Sequence, residues 1–282
     1  MIDILIKEIN KNYIDSLEFK RLFFGRGGAF EGLEFLNVDN ICNVIYVEIF
    51  KKNLLEKDIL NYLKDFAEQK NRSLLVKKRY DGSISSNLTP KYAIENNLKF
   101  LLDFSKQNIG FFGDIKYARE YLKDIAKEKA VLNLFSYTCA FSLYARVGGA
   151  KKIVNVDINR GVLKTGLKNH QINNIDTTNI SFLNYDILSS FNRLSKKIKA
   201  DIVIIDPPSM QSSFNIFKHY QKIADKLNLV LNENATIIAT ANHPNFTKED
   251  LLNCFKNYKF IKEIQPAIEY KNSSLKIAVF SL

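Results

Sequence analysis

Beyond residue 107 the chain is a succession of short apolar runs, each ending in a polar tip. Val131–Phe135 leads into Ser136-Tyr137-Thr138. Ile153–Val156 stops at Asp157, and Ile202-Val203-Ile204-Ile205 stops at Asp206-Pro207-Pro208-Ser209. Runs of this length without alternation predict strands buried in a parallel sheet, with a ligand crevice at the strand ends. Ile180–Leu183, tipped by Asn184-Tyr185-Asp186, and Ala235–Ala241 extend the set. Helical spacing covers Ile115–Ala126, Phe141–Gly148, Arg160–Asn173, Phe217–Leu229 and Phe246–Phe255. Thr247 is the N-cap of the last, with Asp250 three residues on. Phe260–Ile264 and Leu275–Phe280 are joined by too short a link for a crossover helix and are expected to pair antiparallel. The pattern is that of an α/β fold with seven strands and a terminal hairpin.

The first hundred residues follow another rhythm. A short helix carries Ile6, Ile9, Ile14 and Leu17. A glycine-rich turn spans Phe23-Phe24-Gly25-Arg26-Gly27-Gly28. Leu33–Val38 and Val44–Phe50 read as strands separated by Asp39-Asn40. Leu54–Gln69 has helical spacing, and Leu74–Lys78 and Leu98–Leu102 read as strands. A small α+β domain over 1–104, assigned to RNA or substrate binding, is expected to precede a larger domain over 105–282.

Composition narrows the class. The 282 residues carry a net charge of +11, with 41 Lys and Arg against 30 Asp and Glu. Residues 1–100 hold 16 basic and 14 acidic side chains, so most of the excess lies in the larger remainder. Such a field suits a polyanionic partner, while many lysines also simply solvate helices. No apolar stretch approaches the ~20 residues of a membrane span, and no signal segment opens the chain. Cys42, Cys139 and Cys254 are too scattered for a disulfide framework, and neither they nor the histidines show metal-ligand spacing. A cytoplasmic, metal-free protein is expected. The sequence leaves its oligomeric state open.

The strand tips carry the candidate chemistry. A Gly-x-Gly-x-Gly loop would place glycines at 135, 137 and 139, where this chain has Phe135, Tyr137 and Cys139. Ser136, Thr138 and Ala140 still allow a tight turn, and the hydroxyls can bind a carboxylate. Asp157, followed by Ile158, can accept hydrogen bonds from both ribose hydroxyls of a nucleoside, or else cap the helix that begins near Arg160. Asp186 suits an exocyclic amine and Ile187 a ring face, with a helix cap again the alternative for Asp186.

Val131-Leu132-Asn133-Leu134-Phe135-Ser136-Tyr137-Thr138, Gly148-Gly149-Ala150, Val154-Asn155-Val156-Asp157 and Asp206-Pro207-Pro208-Ser209 resemble the bacterial class I large-subunit (23S) ribosomal RNA methyltransferases. Gly110-Phe111-Phe112-Gly113-Asp114 is similar to their entry motif, with Gly113 in place of leucine. Cys139-Ala140 replaces a Gly-Gly pair. The likeness covers Leu98 to Leu282 and implies a Rossmann-like class I fold binding S-adenosyl-L-methionine (SAM). The implied contacts come from Asn133, Phe135, Ser136, Asp157, Asp186 and Asp206, joined by Phe112, Asp114 and the neighbouring Tyr137, Thr138, Ile158 and Ile187.

Asp206, Pro207, Pro208 and Asn242 are the expected catalytic group. Proline fixes the loop's carbonyls, and related loops use aspartate and carbonyl oxygens to accept from a flipped base. Ser209 stands where those loops carry a stacking aromatic. Methylation of cytosine C5 needs a cysteine nucleophile, and Thr240-Ala241-Asn242-His243-Pro244 holds none. A ring or exocyclic nitrogen of an RNA base is therefore the expected acceptor, ribosomal RNA processing the expected setting. Phe214, Phe217 and Tyr220 could stack a base, Phe217 reading more readily as core. Arg21 and Arg26, and Lys77-Lys78-Arg79, could follow a phosphate backbone. A protein or small-molecule methyltransferase and a non-catalytic RNA-binding protein remain as alternatives.

Overall fold

The computed structural model describes residues 1–85, 89–211 and 214–282. The chain forms two compact units. The first comprises Met1–Gly113 and Ala267–Ser273, and the second Asp114–Pro266 and Ser274–Leu282.

The first unit runs α1 (Ile2–Asn12), β1 (Lys20–Phe24), β2 (Leu36–Ile41), β3 (Val44–Ile49), α2 (Glu56–Gln69), β4 (Ser73–Lys78), β5 (Tyr92–Glu95) and β6 (Leu98–Leu101). Its sheet has the order β1-β2-β3-β4. The first two pairings are antiparallel and β3–β4 is parallel, bridged by α2. α1 buries Leu5 and Ile9, and α2 buries Ile59, Leu63, Phe66 and Ala67, in one cluster with Leu22, Val38 and Val47. β1 was absent from the sequence reading, which placed a turn there. Its pairing shifts register between Arg21 and Phe23, so neighbouring Leu22 and Phe23 are both buried and period-two alternation is lost. β5 and β6 form a tight hairpin through Asn96 and Asn97, both left-handed at φ +50° and +63°. Segment Ala267–Ser273 is tied to this unit by Lys20–Glu269 and by Lys271 Nζ on Glu8 Oε2 at 2.8 Å.

The second unit begins with α3 (Lys116–Ile125), β7 (Ala130–Leu134), α4 (Ala140–Val147), β8 (Lys152–Asp157), α5 (Arg160–Ile172), β9 (Ile180–Asn184), α6 (Ile187–Leu194) and β10 (Ala200–Ile205). It continues with β11 (Met210–Gln211), β12 (Phe214–Asn215), α7 (Ile216–Ala224), β13 (Leu231–Asn242), α8 (Lys248–Cys254), β14 (Lys259–Glu263) and β15 (Leu275–Ser281). The seven-stranded sheet has the order β14-β15-β13-β10-β7-β8-β9. β13, β10, β7, β8 and β9 are mutually parallel, and β15 is antiparallel to both neighbours. The expected terminal hairpin is present, and the fold is the class I methyltransferase α/β sheet.

Core residues alternate between the sheet's faces. Leu132, Leu134, Val203 and Ile205 pack with residues of α6, α7 and α8. Val131, Ile202 and Ile204 pack with residues of α3 and α4. The chain leaves β7 toward β8 and β9, then returns to place β10 on the other side of β7. That reversal puts the sheet's switch point, where open α/β sheets bind their ligands, at the adjoining tips of β7 and β10. α6 was not anticipated: its apolar stripe of Ile187, Phe191 and Leu194 is only two turns long. Thr247 and Asp250 form the expected reciprocal cap of α8. Among the described residues no helix is long and apolar enough to cross a membrane.

Candidate active site

The loop after β7 has a backbone suited to glycine and no glycine in it. Phe135, Tyr137 and Cys139 all lie in the left-handed region, at φ +57°, +47° and +62°. These are the three positions where a glycine-rich loop would place its glycines. Each such residue costs on the order of 1–2 kcal/mol relative to glycine. The surroundings hold the loop in place. Ser136 N donates to Val156 O at 3.0 Å, Tyr137 N donates to Asp157 Oδ2 at 3.0 Å, and Asn169 Nδ2 donates to Thr138 O at 3.0 Å. The Phe135 ring packs edge-on against Phe214, with centroids 5.0 Å apart. Cys139 is fully buried against Gly166 of α5, and burial pushes its thiol pKa up.

Asp157, at the end of β8, accepts from Tyr137 N and, through Oδ1, from Asn159 N at 2.8 Å. It is not the cap of α5: Asn159 takes that place, accepting from Gly161 N and Val162 N. Burial raises the Asp157 pKa. Asp186 is exposed and caps α6, accepting from Leu188 N at 3.2 Å and Ser189 Oγ at 2.8 Å. Ile187, expected on a ring face, is instead a core residue at 3% exposure, because it starts the buried stripe of α6. Ile158, 50% exposed, is the apolar side chain open to solvent beside Asp157.

Asp206 follows β10. Its carboxyl pKa is raised to about 6, foremost by burial; the Thr240 hydroxyl opposes the shift, Asp114 adds to it and Arg119 opposes it. Thr240 Oγ1 donates to Asp206 Oδ1. Pro207 is buried, and Ser209 Oγ donates to Asn242 O, so the Asp-Pro-Pro-Ser loop is fastened to the end of β13. Asn242 is exposed, and its Oδ1 accepts from Ser274 Oγ at 2.6 Å. Phe112 is 44% exposed and belongs to the first unit.

Among the candidate stacking aromatics, Tyr220 is wholly buried and donates its hydroxyl to Thr240 O at 2.6 Å. Phe214 is buried at 4%. Phe217, read as core, is 52% exposed and meets His243 edge-on at 5.0 Å. It lies in the first turn of α7, against His243 and Phe246 and half open to solvent, so helical spacing alone misplaced it.

Asn133, next to last in β7, is buried, and its Oδ1 has no hydrogen-bond partner among the described residues. An orphaned buried acceptor at the head of the loop, with carboxylates at the tips of β8 and β9, fits a ligand with several donors. Residues 20–269 match the family described as S-adenosylmethionine-dependent methyltransferase.

The chain belongs to the S-adenosylmethionine-dependent methyltransferase family. It is similar to ribosomal RNA large subunit methyltransferase K/L of Buchnera aphidicola subsp. Acyrthosiphon pisum, with 31% identity over 83% of this chain and 34% of the relative. It is similar also to ribosomal RNA large subunit methyltransferase I of Aeromonas salmonicida, with 27% identity over 65% of this chain and 50% of the relative. The chain thus spans a third to a half of the length of these relatives. The crystal structure of SMU.776 complexed with SAH shares the fold at a TM-score of 0.87, with 22% identity, over 100% of this chain and 82% of that one. The family's cofactor is SAM, as the resemblance implied.

The sequence did not single out Thr240 and Arg119, which act on the Asp206 carboxyl, or Asn155 and His170, which lie buried behind Asn133. Asn155 had a visible signal, a polar residue inside the run Ile153-Val154-Asn155-Val156. Arg119 is 1% exposed on α3, and nothing in its helical neighbourhood marks it as buried.

Proposed function

We propose that this chain transfers a methyl group from SAM to a ring or exocyclic nitrogen of an RNA base, with large-subunit ribosomal RNA as the acceptor. Bound SAM supplies an electrophilic methyl group on a sulfonium. Asp157 would accept from the ribose hydroxyls and Asp186 from the adenine amine. Asn133 and the loop 135–138 would hold the methionine end beside Asp206.

The observation that carries the reading is Asp206, a desolvated carboxyl set in a proline-stiffened loop and hydrogen-bonded to Thr240. Such an acceptor orients a base amine, and in-line placement of nitrogen and sulfonium supplies much of the acceleration. Cysteine chemistry is poorly served. Burial pushes the Cys139 thiol well up and the Cys254 thiol to about 11, so neither is a ready thiolate at neutral pH.

The first unit would hold the RNA backbone. Arg26 follows β1, Lys51 and Lys52 follow β3, and all three are exposed at one end of the sheet. Phe50 lies under Arg26 at 4.5 Å, and Tyr80 under Lys52 at 5.7 Å, giving the basic and aromatic mixture that suits a single strand. Lys77 takes no part in this. It is buried, and its ammonium donates to Phe104 O at 2.8 Å and Lys106 O at 2.5 Å. An RNA acceptor implies a cytoplasmic site of action.

Nucleoside mass spectrometry of ribosomal RNA from a deletion strain and its parent tests the proposal. One nitrogen-methylated nucleoside should disappear and return on complementation. Identical profiles would rule out the RNA reading.

A further inference from the structure

Four polar side chains from four elements of the second unit form an unbroken, wholly buried chain. Asn133 of β7 is 1% exposed, and Asn155 of β8, Ser142 of α4 and His170 of α5 are each 0% exposed. Asn133 Nδ2 donates to Asn155 Oδ1 at 2.9 Å, and Asn155 Nδ2 donates to Ser142 Oγ at 3.0 Å. Ser142 Oγ lies 2.9 Å from His170 Nε2, and His170 Nδ1 lies 2.8 Å from Gly166 O.

The direction of every bond follows from the last one. Gly166 O is a carbonyl and can only accept, so His170 Nδ1 carries a proton. Burial lowers the His170 pKa, which keeps the ring neutral and leaves Nε2 as an acceptor. Ser142 must then donate its hydroxyl to Nε2 and accept from Asn155. Asn155 must turn its amide nitrogen to Ser142 and its oxygen to Asn133. Asn133 therefore spends its nitrogen on Asn155 and presents Oδ1, the atom that has no partner. Reversing the two amides would require His170 to donate from both nitrogens, as a buried imidazolium.

Resting on the proposed SAM site, we infer that His170 is a positioning residue: its Nδ1–H tautomer, relayed through Ser142 and Asn155, fixes Asn133 Oδ1 as a hydrogen-bond acceptor for the α-ammonium group of SAM. The nucleoside's other donors are matched elsewhere, the ribose by Asp157 and the adenine amine by Asp186. The ammonium is the donor left for β7, and a charged donor suits a buried acceptor that finds no partner among the described residues. His170 touches no ligand atom in this scheme. It acts at a distance by removing the alternative amide orientation.

The test compares calorimetric affinities for S-adenosylhomocysteine and its counterpart lacking the α-amino group, in the full chain. A hydrogen bond to a charged group is worth about 10- to 100-fold in affinity, so the wild type should prefer the amino form by that factor. In His170→Phe the Asn133 amide samples competing orientations, and affinity falls with the competent fraction. The preference should shrink about threefold or more, with little change for the counterpart. Ser142→Ala, which cuts the next link, should do the same. Nitrogen-15 NMR of the wild type should show a neutral Nδ1–H imidazole at His170. A merely structural role would weaken both ligands alike. An unchanged preference in the folded variants, or an Nε2–H tautomer, overturns the inference while leaving the SAM site standing. Absence of binding to the wild type overturns the SAM site and the inference with it.

Discussion

Cys139 occupies the space that Gly166 leaves open. A Cβ built on Gly166 would overlap the Cys139 Sγ and lie 2.9 Å from its Cβ. Cys139 is thereby buried in a left-handed conformation at φ +62°, which favours glycine, and α5 accepts a glycine in its interior. That glycine costs α5 about 1 kcal/mol of helix propensity relative to alanine. Gly166→Ala should therefore destabilise the wild type by about 1–3 kcal/mol through overpacking. In a Cys139→Gly background the same substitution should become stabilising, since the clash is gone and the propensity gain remains. Urea unfolding of the four proteins of this cycle checks the reversal of sign.

Asp206 trades stability for its role. Its folded pKa of about 6 lies above the unfolded carboxylate value, so the native state holds its proton more tightly. Between about pH 4 and pH 6 the stabilising contribution of the protonated form is lost as pH rises, and above pH 6 the charged group costs roughly 2–3 kcal/mol. Asp206→Asn keeps an acceptor for Thr240 and should raise stability by about that amount at pH 7. The gain should vanish below about pH 4. Methyl transfer should be lost, and in the wild type it should rise with pH through an apparent pKa near 6. Thermal unfolding across pH, with activity profiles beside it, measures both effects.

Asp157 serves the loop and, by our proposal, the ligand. Asp157→Asn retains one oxygen acceptor for the two backbone amides but cannot accept from two ribose hydroxyls as well. Stability should change by about 1 kcal/mol, while SAM affinity should fall more than about tenfold. Asp157→Ala should abolish measurable binding. Calorimetry beside thermal unfolding separates the two functions; full affinity in Asp157→Asn would remove this residue from the cofactor site.

The exposed basic end of the first sheet makes a salt-dependent prediction. Replacing Arg26, Lys51 and Lys52 together by alanine should weaken RNA binding to a similar degree across sequences. The slope of log affinity against log salt should shallow by about 2 units if all three neutralise phosphates of a single strand. Folding and SAM binding should be untouched, because these side chains are exposed in the first unit. An unchanged slope would move the RNA surface elsewhere.

Much of the fold was legible because burial on both faces of a parallel strand leaves an unbroken apolar run. Ile202–Ile205 and Val131–Leu134 could be paired with their tips without coordinates, and the short link before Leu275 announced the antiparallel hairpin. β1 was not legible, since its register shift at Arg21 and Phe23 erases the alternation that marks a half-buried strand. Ile187 and Phe217 were placed wrongly for a related reason. An apolar side chain at a helix start faces core or solvent according to how the helix docks.

By itself the sequence determined the strand tips, and so which carboxylates are candidates, because strand ends are marked locally by the change from apolar to polar residues. It also showed that the loop after β7 lacks glycine. Only the tertiary structure decided that Phe135, Tyr137 and Cys139 take up glycine's backbone all the same. The same holds for the line from His170 through Ser142 and Asn155 to Asn133. A backbone torsion or an amide orientation of this kind is set by whatever lies across from it, here α5 and β8, and such neighbours are brought near by folding rather than by order along the chain.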